Sequence, residues 1–414
     1  MHPILRGFEH RNFRLFFIGQ SLTMIGTWMQ YIAISWLMYR LTHSAFMLGM
    51  TGFALQIPIL LVSPFAGVWV DRYSRRKLLL ITQTLALAQA LLLAILTFAG
   101  LIQVWHILAI SLFLGTVNAF ANPSRGTFLL EMVESKENLP NAIALNSLIM
   151  NSARFVGPSI AGGVLAFAGE AWCFLLNALS YLALMLALML MRVKHGAAHA
   201  THAHWLEELK QGFRYAFGFL PSRRLLLLVA AVSMTTSPYQ HMMPIFAGEV
   251  FGGDSRTLGL LISGAGAGAL AGTAYLAGRT SLRGLSRIIV AASFSAGIGL
   301  MLFSQSRLLW LSLVLMLPIG FGLIVTATST NTILQTIADE DKRGRIVAIY
   351  GMSFLGAAPI GNFIAGSVAS RIGAPHTLLL LGALCTLAAA TFALRLASWR
   401  SAIRPVYRRL GVVK

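Results

Sequence analysis

The 414 residues are 57% hydrophobic and 11% charged, with 32 Lys and Arg against 13 Asp and Glu and a formal net charge of +19. Soluble globular domains carry about a quarter charged residues, so a chain this apolar has nowhere to put its Leu and Phe except a bilayer. The cations are scattered over many short loops rather than gathered on one folded domain, which argues against a nucleic-acid partner.

A spanning helix needs about 20 apolar residues. Residues 1–14 are polar, and the stretch that follows is long enough to span, so no cleavable signal peptide is expected. Twelve stretches are predicted to cross: 15–39, 46–70, 78–99, 104–130, 140–168, 171–191, 225–248, 257–278, 288–306, 308–334, 346–370 and 375–394. The expected fold is an all-α membrane protein, with twelve transmembrane helices as two six-helix pseudo-symmetric halves around a central cavity. The expected organisation is an N-terminal half, 1–191, a cytoplasmic linker, 192–224, and a C-terminal half with a short basic tail, 225–414.

After the second stretch comes Gly67, Asp71, Arg72, Arg75, Arg76 and Lys77, one carboxylate among four cations. A charged hinge at this place suits a protein that rocks between two states. Span 4 carries Asn118, Asn122 and Arg125, with Glu131 at its end. Arg125 lies toward the cytoplasmic end and is expected to pair with Glu131. Span 5 carries Arg154, the one Lys or Arg well inside a span. An intramembrane charge is costly unless it meets a partner or water, so Arg154 either binds an anionic or polar substrate group or pairs with Asn118, Asn122 or Asn151. Downstream in span 5, Gly157-Pro158 supplies a small residue and a kink.

The linker holds His195, His199, His202 and His204, a candidate metal site or an Ala-rich polar tether. Apolar residues at 205, 206, 209, 213, 216 and 217 then trace one helical face, predicting an amphipathic helix at the membrane surface. In span 7, Pro238 and Pro244 free backbone carbonyls beside Gln240 and His241, and His241 can titrate near neutral pH. Glycines 264, 266, 268 and 272 in span 8 lack the Lys-Ser/Thr of a phosphate loop and read as helix packing. Cys173 and Cys385 have no metal or redox spacing. No arrangement of residues points to catalysis, so the chain is expected not to be an enzyme, and no cofactor or metal is implied.

Sidedness follows from Lys and Arg. With both ends of the chain on one side, only Arg40, Arg256, Arg307 and Arg371 fall on the other, Arg154 is intramembrane, and the remaining 27 of the 32 share the first side. By the positive-inside rule that side is cytoplasmic. The halves also echo each other: Leu48-Gly49 recurs at Leu258-Gly259, and Ala161-Gly162 with Gly169 recurs at Ala365-Gly366 with Gly373.

The hinge resembles the loop motif of the major facilitator superfamily, Gly-x-x-x-Asp-Arg-x-Gly-Arg-Arg/Lys, with Ser74 where Gly is usual. More narrowly, Gly26-Thr27-Trp28-Met29-Gln30, Trp36-Leu37-Met38-Tyr39, Asn122-Pro123-Ser124-Arg125, Asn151-Ser152-Ala153-Arg154 and Arg343-Gly344-Arg345 are similar to its drug and siderophore exporter branch, with enterobactin-exporter-like and macrolide-exporter-like members. The resemblance implies a latch in which Asp71 faces the start of span 11 near Ile346, while Arg72, Arg75 and Arg76 reach Glu131. It implies an antiporter motif at Gly157 and Pro158, with Ala161 replacing a glycine. It places the substrate cavity among spans 1, 4, 7 and 10, where this chain offers Gln20, Met24, Trp28, Tyr31, Asn118, Asn122, Tyr239, Gln240, His241, Met242 and Asn331.

The expected function is secondary active export of an amphiphilic drug, siderophore or lipid-like molecule by alternating access, with proton antiport. His241, Asp71 and Glu131 are the candidates for proton coupling, since no Asp or Glu lies deep in a span. The rivals are an importer or lysophospholipid-type flippase of the same fold, and a membrane receptor or scaffold without transport. The expected setting is the inner membrane, with a small-molecule substrate and lipid as partners and a monomeric state.

Overall fold

The computed structural model describes residues 11–132, 139–191, 205–279 and 281–409. The linker histidines 195, 199, 202 and 204 lie outside the described residues, as do the side chains of Asp71, Arg72 and Glu131, while the backbone of Gly67 is helical. The described residues form helices α1 (Arg11–Thr42), α2 (Ala45–Arg72), α3 (Arg75–Phe98), α4 (Val104–Met132), α5 (Leu139–Ala168), α6 (Glu170–Leu190), α7 (Trp205–Gly218), α8 (Leu220–Thr236), α9 (Tyr239–Ile245), α10 (Ser255–Ala277), α11 (Leu285–Gln305), α12 (Leu309–Ile337), α13 (Arg343–Leu355), α14 (Ala357–Ile372), α15 (Ala374–Leu394) and α16 (Leu396–Arg409). Nine helical runs among them are long and apolar enough to cross a membrane, and ten if the bent run of α7 with α8 and α9 is included.

Two further long helices, α1 and α5, fill the first and fifth predicted stretches. Gln20, Thr23, Thr27 and Gln30 in α1, and Asn146, Asn151 and Arg154 in α5, lower their hydropathy. The seventh stretch is broken. Pro238 ends α8, α9 follows, and after Pro244 the backbone widens into a π turn over Phe246–Val250, as expected where a proline removes a donor from the helical ladder. The chain bends by 102° where α7 meets α8.

The helices sort into two compact units. The first holds α1, α2 from Ala54 onward, α3 to α6, and the first turns of α10 up to Ser263. Its interior is tied by an amide chain. Asn177 Nδ2 donates to Gln30 Oε1 at 2.6 Å, Gln30 Nε2 donates to Gln89 Oε1 at 3.0 Å, and Gln89 Nε2 also reaches the Ala86 carbonyl at 2.8 Å. All three side chains are buried, so α6, α1 and α3 are joined by a satisfied polar network, the arrangement that apolar surroundings reward. At one end of the unit Arg40 grips Glu170 through two contacts of 3.1 Å, pairing the last turn of α1 with the first turn of α6.

The second unit holds the first turns of α2 (44–53), α7 to α9, α10 from Gly264 and α11 to α16. Helix α16 is anchored by buried Trp399, Ile403 and Tyr407, with Trp399 Nε1 donating to the Pro221 carbonyl at 3.0 Å. Asp339, in the short link after α12, collects Tyr215 of α7 at 3.1 Å, Lys342 at 3.4 Å and Arg409 of α16 at 3.7 Å. The Tyr215 hydroxyl first, and then Lys342, hold the Asp339 carboxyl below its ordinary value.

The repeated glycines mark helix crossings. In the first unit a Cβ on Gly259 of α10 would lie 2.6 Å from the Pro158 carbonyl and 2.9 Å from Gly162 Cα of α5. In the second, a Cβ on Gly49 of α2 would lie 2.6 Å from the Asn362 carbonyl and 2.7 Å from Gly366 Cα of α14. The two crossings use the residues that the sequence repeats. Gly169 (φ 87°, ψ 179°) and Gly373 (φ 81°, ψ 157°) open α6 and α15 in a backbone region reserved for glycine.

Replacing Gly373 by Ala is expected to cost about 1–3 kcal/mol through backbone strain, and Gly366→Leu a comparable amount through overpacking; thermal melting in detergent measures both. Asp339→Asn should lower the melting temperature at pH 7. A depressed carboxyl stabilises above its unfolded value and loses that contribution as pH falls through the folded one, so the gap between wild type and D339N should close at acid pH.

Candidate functional site

Polar side chains gather on one face of α1. Gln20, Met24, Thr27, Trp28 and Tyr31 recur at helical spacing. Gln20 is wholly buried, and neither atom of its amide has a protein partner. Trp28 and Tyr31 meet edge to face at 5.8 Å between centroids. From α4, Asn118 Nδ2 donates to Tyr31 Oη at 3.3 Å, while Asn122 is exposed. From α5, the Arg154 guanidinium lies 5.2 Å from the Trp28 ring centroid, a cation–π contact. Gly157 makes this approach feasible, because a Cβ there would fall 2.5 Å from Trp28 Cβ. Pro158, buried beside it, adds its carbonyl to the α5–α10 crossing.

Arg125 turns to α1. Its Nη1 lies 3.8 Å from Met24 Sδ and its Nε is buried without a partner. The pairing with Glu131 expected from the sequence involves a side chain outside the described residues. Arg76 donates to the Met189 carbonyl at 3.0 Å, capping the last turn of α6, where a cation meets the negative end of the helix dipole. Arg75 begins α3 and is half-buried.

In the second unit Gln240 Nε2 donates to the hydroxyl of the adjacent Tyr239 at 3.3 Å. His241 sits in a small niche. A Cβ on Gly52 of α2 would come within 2.5 Å of its ring and 2.8 Å of Asn362 Nδ2 on α14. His241 Nδ1 and both polar atoms of the buried Asn362 side chain lack protein partners. Met242 is buried. Asn331 Oδ1 instead accepts from Gln335, one turn along α12, at 3.1 Å. Sequence reasoning passed over Asn362 and Gly52. Asn362 carries the same signal that picked out Asn118, an amide inside an apolar run; Gly52 carries none, because its meaning is the space it leaves for the imidazole.

The family model described as transmembrane secretion effector matches residues 4–407. The chain belongs to that family, within the major facilitator superfamily of multi-pass membrane transporters.

Among its relatives are the staphyloferrin A transporter of Staphylococcus aureus, 25% identical over 89% of this chain and 92% of that one, the multidrug efflux pump Tap of Mycolicibacterium fortuitum, 25% identical over 84% and 87%, and macrolide efflux protein A of Streptococcus pyogenes, 21% identical over 91% and 95%. Solved transporters share the fold: a POT family transporter in complex with 5-aminolevulinic acid, with a TM-score of 0.75 at 11% identity, covering 94% of this chain and 97% of that one, and a bacterial homologue of the human lysosomal transporter Spinster, at 0.71 and 13%, covering 94% and 97%.

Gly52→Ala is expected to push the His241 ring from its niche. At the 1–3 kcal/mol typical of overpacking, transport should fall about tenfold while the protein still purifies as a folded species; flux and melting, measured side by side, check this.

Proposed function

We propose that the protein is an inner-membrane secondary exporter of amphiphilic small molecules, working by alternating access with proton antiport. The observation that carries this reading is the Trp28, Tyr31, Asn118 and Arg154 cluster, an aromatic and donor-rich patch in the middle of three helices of an efflux-type chain. Aromatic and thioether walls accept varied apolar bodies, while a few fixed donors orient them. Gln20, Met24, Asn122, Gln240, His241 and Asn331 complete the proposed binding set. Two of the relatives, a multidrug efflux pump and a macrolide efflux protein, support the outward direction.

In this reading twelve helices span, α1, α5 and the broken α8–α9 run joining the nine apolar ones, and both termini face the cytoplasm. What supports the sidedness is that Arg40 with Glu170, and Asp339 with Arg409 and Lys342, each join residues that the cation asymmetry puts on one side. The halves 1–191 and 225–414 move about the linker 192–224. Gly67, Asp71, Arg72, Arg75, Arg76 and Glu131 form the gating hinge, with Gly157 and Pro158 bending α5. His241 is the proposed proton carrier, with Asp71 and Glu131 as alternatives. The working partners are the cargo and the bilayer, the protein acts as a monomer, and nucleic acid has no part.

The test is flux in proteoliposomes holding the full chain, with a macrolide, a lipophilic cationic dye and an aryl carboxylate as probes. At least one should move, faster under an imposed pH gradient; indifference to the gradient would remove proton antiport. Asp71→Asn should slow cycling at least several-fold and leave probe binding unchanged. His241→Gln should abolish the response to the gradient while exchange at equal pH persists.

A further inference from the structure

The half-buried cation that the hinge and the coupling scheme leave unused is Arg125. Among the described residues its hydrogen-bond partner is a thioether, Met24 Sδ, at 3.8 Å, and its Nε is buried with none. A neutral sulfur is a weak acceptor and cannot balance a guanidinium. Taking such a charge out of water costs several kcal/mol unless an anion accompanies it.

Among the described side chains no anion is at hand. Helices α1, α3 and α5 contain no Asp or Glu, and Glu170 of α6 is engaged by Arg40 at the far end of α1. The neighbouring phenols, Tyr31 and Tyr181, are neutral at pH 7 by their ordinary pKa of about 10. The surroundings add donors. Thr27 Oγ1 gives its proton to the Thr23 carbonyl at 2.7 Å, so in its 3.5 Å contact with Tyr181 the tyrosine donates. Tyr31 Oη accepts from Asn118 Nδ2, which leaves its own O–H to donate elsewhere. One helical turn along α1 from Met24, the Trp28 ring carries a second guanidinium, Arg154.

We propose that Arg125 is the anion-binding residue of the transport site, and that the cargo presents a carboxylate on an aromatic or otherwise apolar body. This rests on the transporter reading and names the chemical class of its cargo. A planar guanidinium fork matches a carboxylate through two parallel N–H···O bonds. Arg154 on Trp28 supplies the second charge and, with Tyr31, the aromatic wall for the body. Among the described side chains Arg125 meets no carboxylate, and in this proposal the counter-ion arrives with the cargo.

The test uses the full chain in nanodiscs, with 1-naphthoate and its neutral isostere 1-naphthamide titrated calorimetrically. Charge-assisted bonds of the usual strength predict that naphthoate binds about tenfold or more tightly than naphthamide, and that Arg125→Met brings the ratio near one. Unliganded R125M should melt at or above the wild-type temperature, since it removes an uncompensated charge. Absence of a preference in the wild type, a preference that survives R125M, or a lower melting point of R125M without ligand would overturn the proposal. Arg125→Lys guards against misfolding of the Met variant: it keeps the charge and loses the fork, so the ratio should fall several-fold at unchanged melting temperature, and an unchanged ratio overturns the assignment. Failure of every probe in the flux assay would remove the transporter reading; binding without a charge preference removes only this one.

Discussion

In hydrocarbon, each polar group must find its partner inside the protein, because no water competes and none rescues. That constraint sorts the polar residues of this chain into two kinds. Gln30, Gln89 and Asn177 satisfy one another across three helices, and the Ser and Thr hydroxyls mostly return to carbonyls one turn back, as Thr27, Thr42 and Thr51 do. These groups hold the helices together. Gln20, Arg125, His241 and Asn362 retain buried atoms with no protein partner, an arrangement that costs stability and that folding alone does not explain.

Glycine supplies the complementary device. Where Gly49 meets Gly366 and Gly162 meets Gly259, backbones touch with no side chain between them. Close approach of this kind replaces the hydrophobic driving force that lipid removes. The same logic places Gly157 under Trp28 and Gly52 under His241: at each, a missing Cβ lets a ring lie against a neighbouring helix. Small residues thus set the crossings and also set where large rings can sit.

Much of the architecture was legible from hydropathy, because a bilayer demands long apolar runs and the predicted stretches are helical, the seventh and eleventh with breaks. The repeated Leu-Gly and Ala-Gly pairs pointed to the residues that form the crossings. Arg154 stood out for a simple reason, a charge inside an apolar run. Contacts were less legible. The facing of a helix depends on its rotation about its axis and on its register against neighbours, and an apolar run fixes neither. The contacts of Arg125 with Met24 and of Arg76 with the Met189 carbonyl could not be read from such runs. Asn362 and Gly52 have meaning only as a pair around an imidazole from a third helix.

The scarcity of carboxylates inside the helices has an electrical consequence. On the proposed reading, an anion leaves a cytoplasm that is negative inside while a proton enters, and both movements carry charge down the membrane potential. Each elementary charge moved gains about 2.3 kcal/mol per 100 mV, so one anion exchanged for one proton gains roughly twice that. A carrier of cations would need an acid in its site to neutralise the cargo and an extra proton to work against the field. On that reading a carrier of anions needs neither: a guanidinium would meet the anion, and an imidazole would carry the proton.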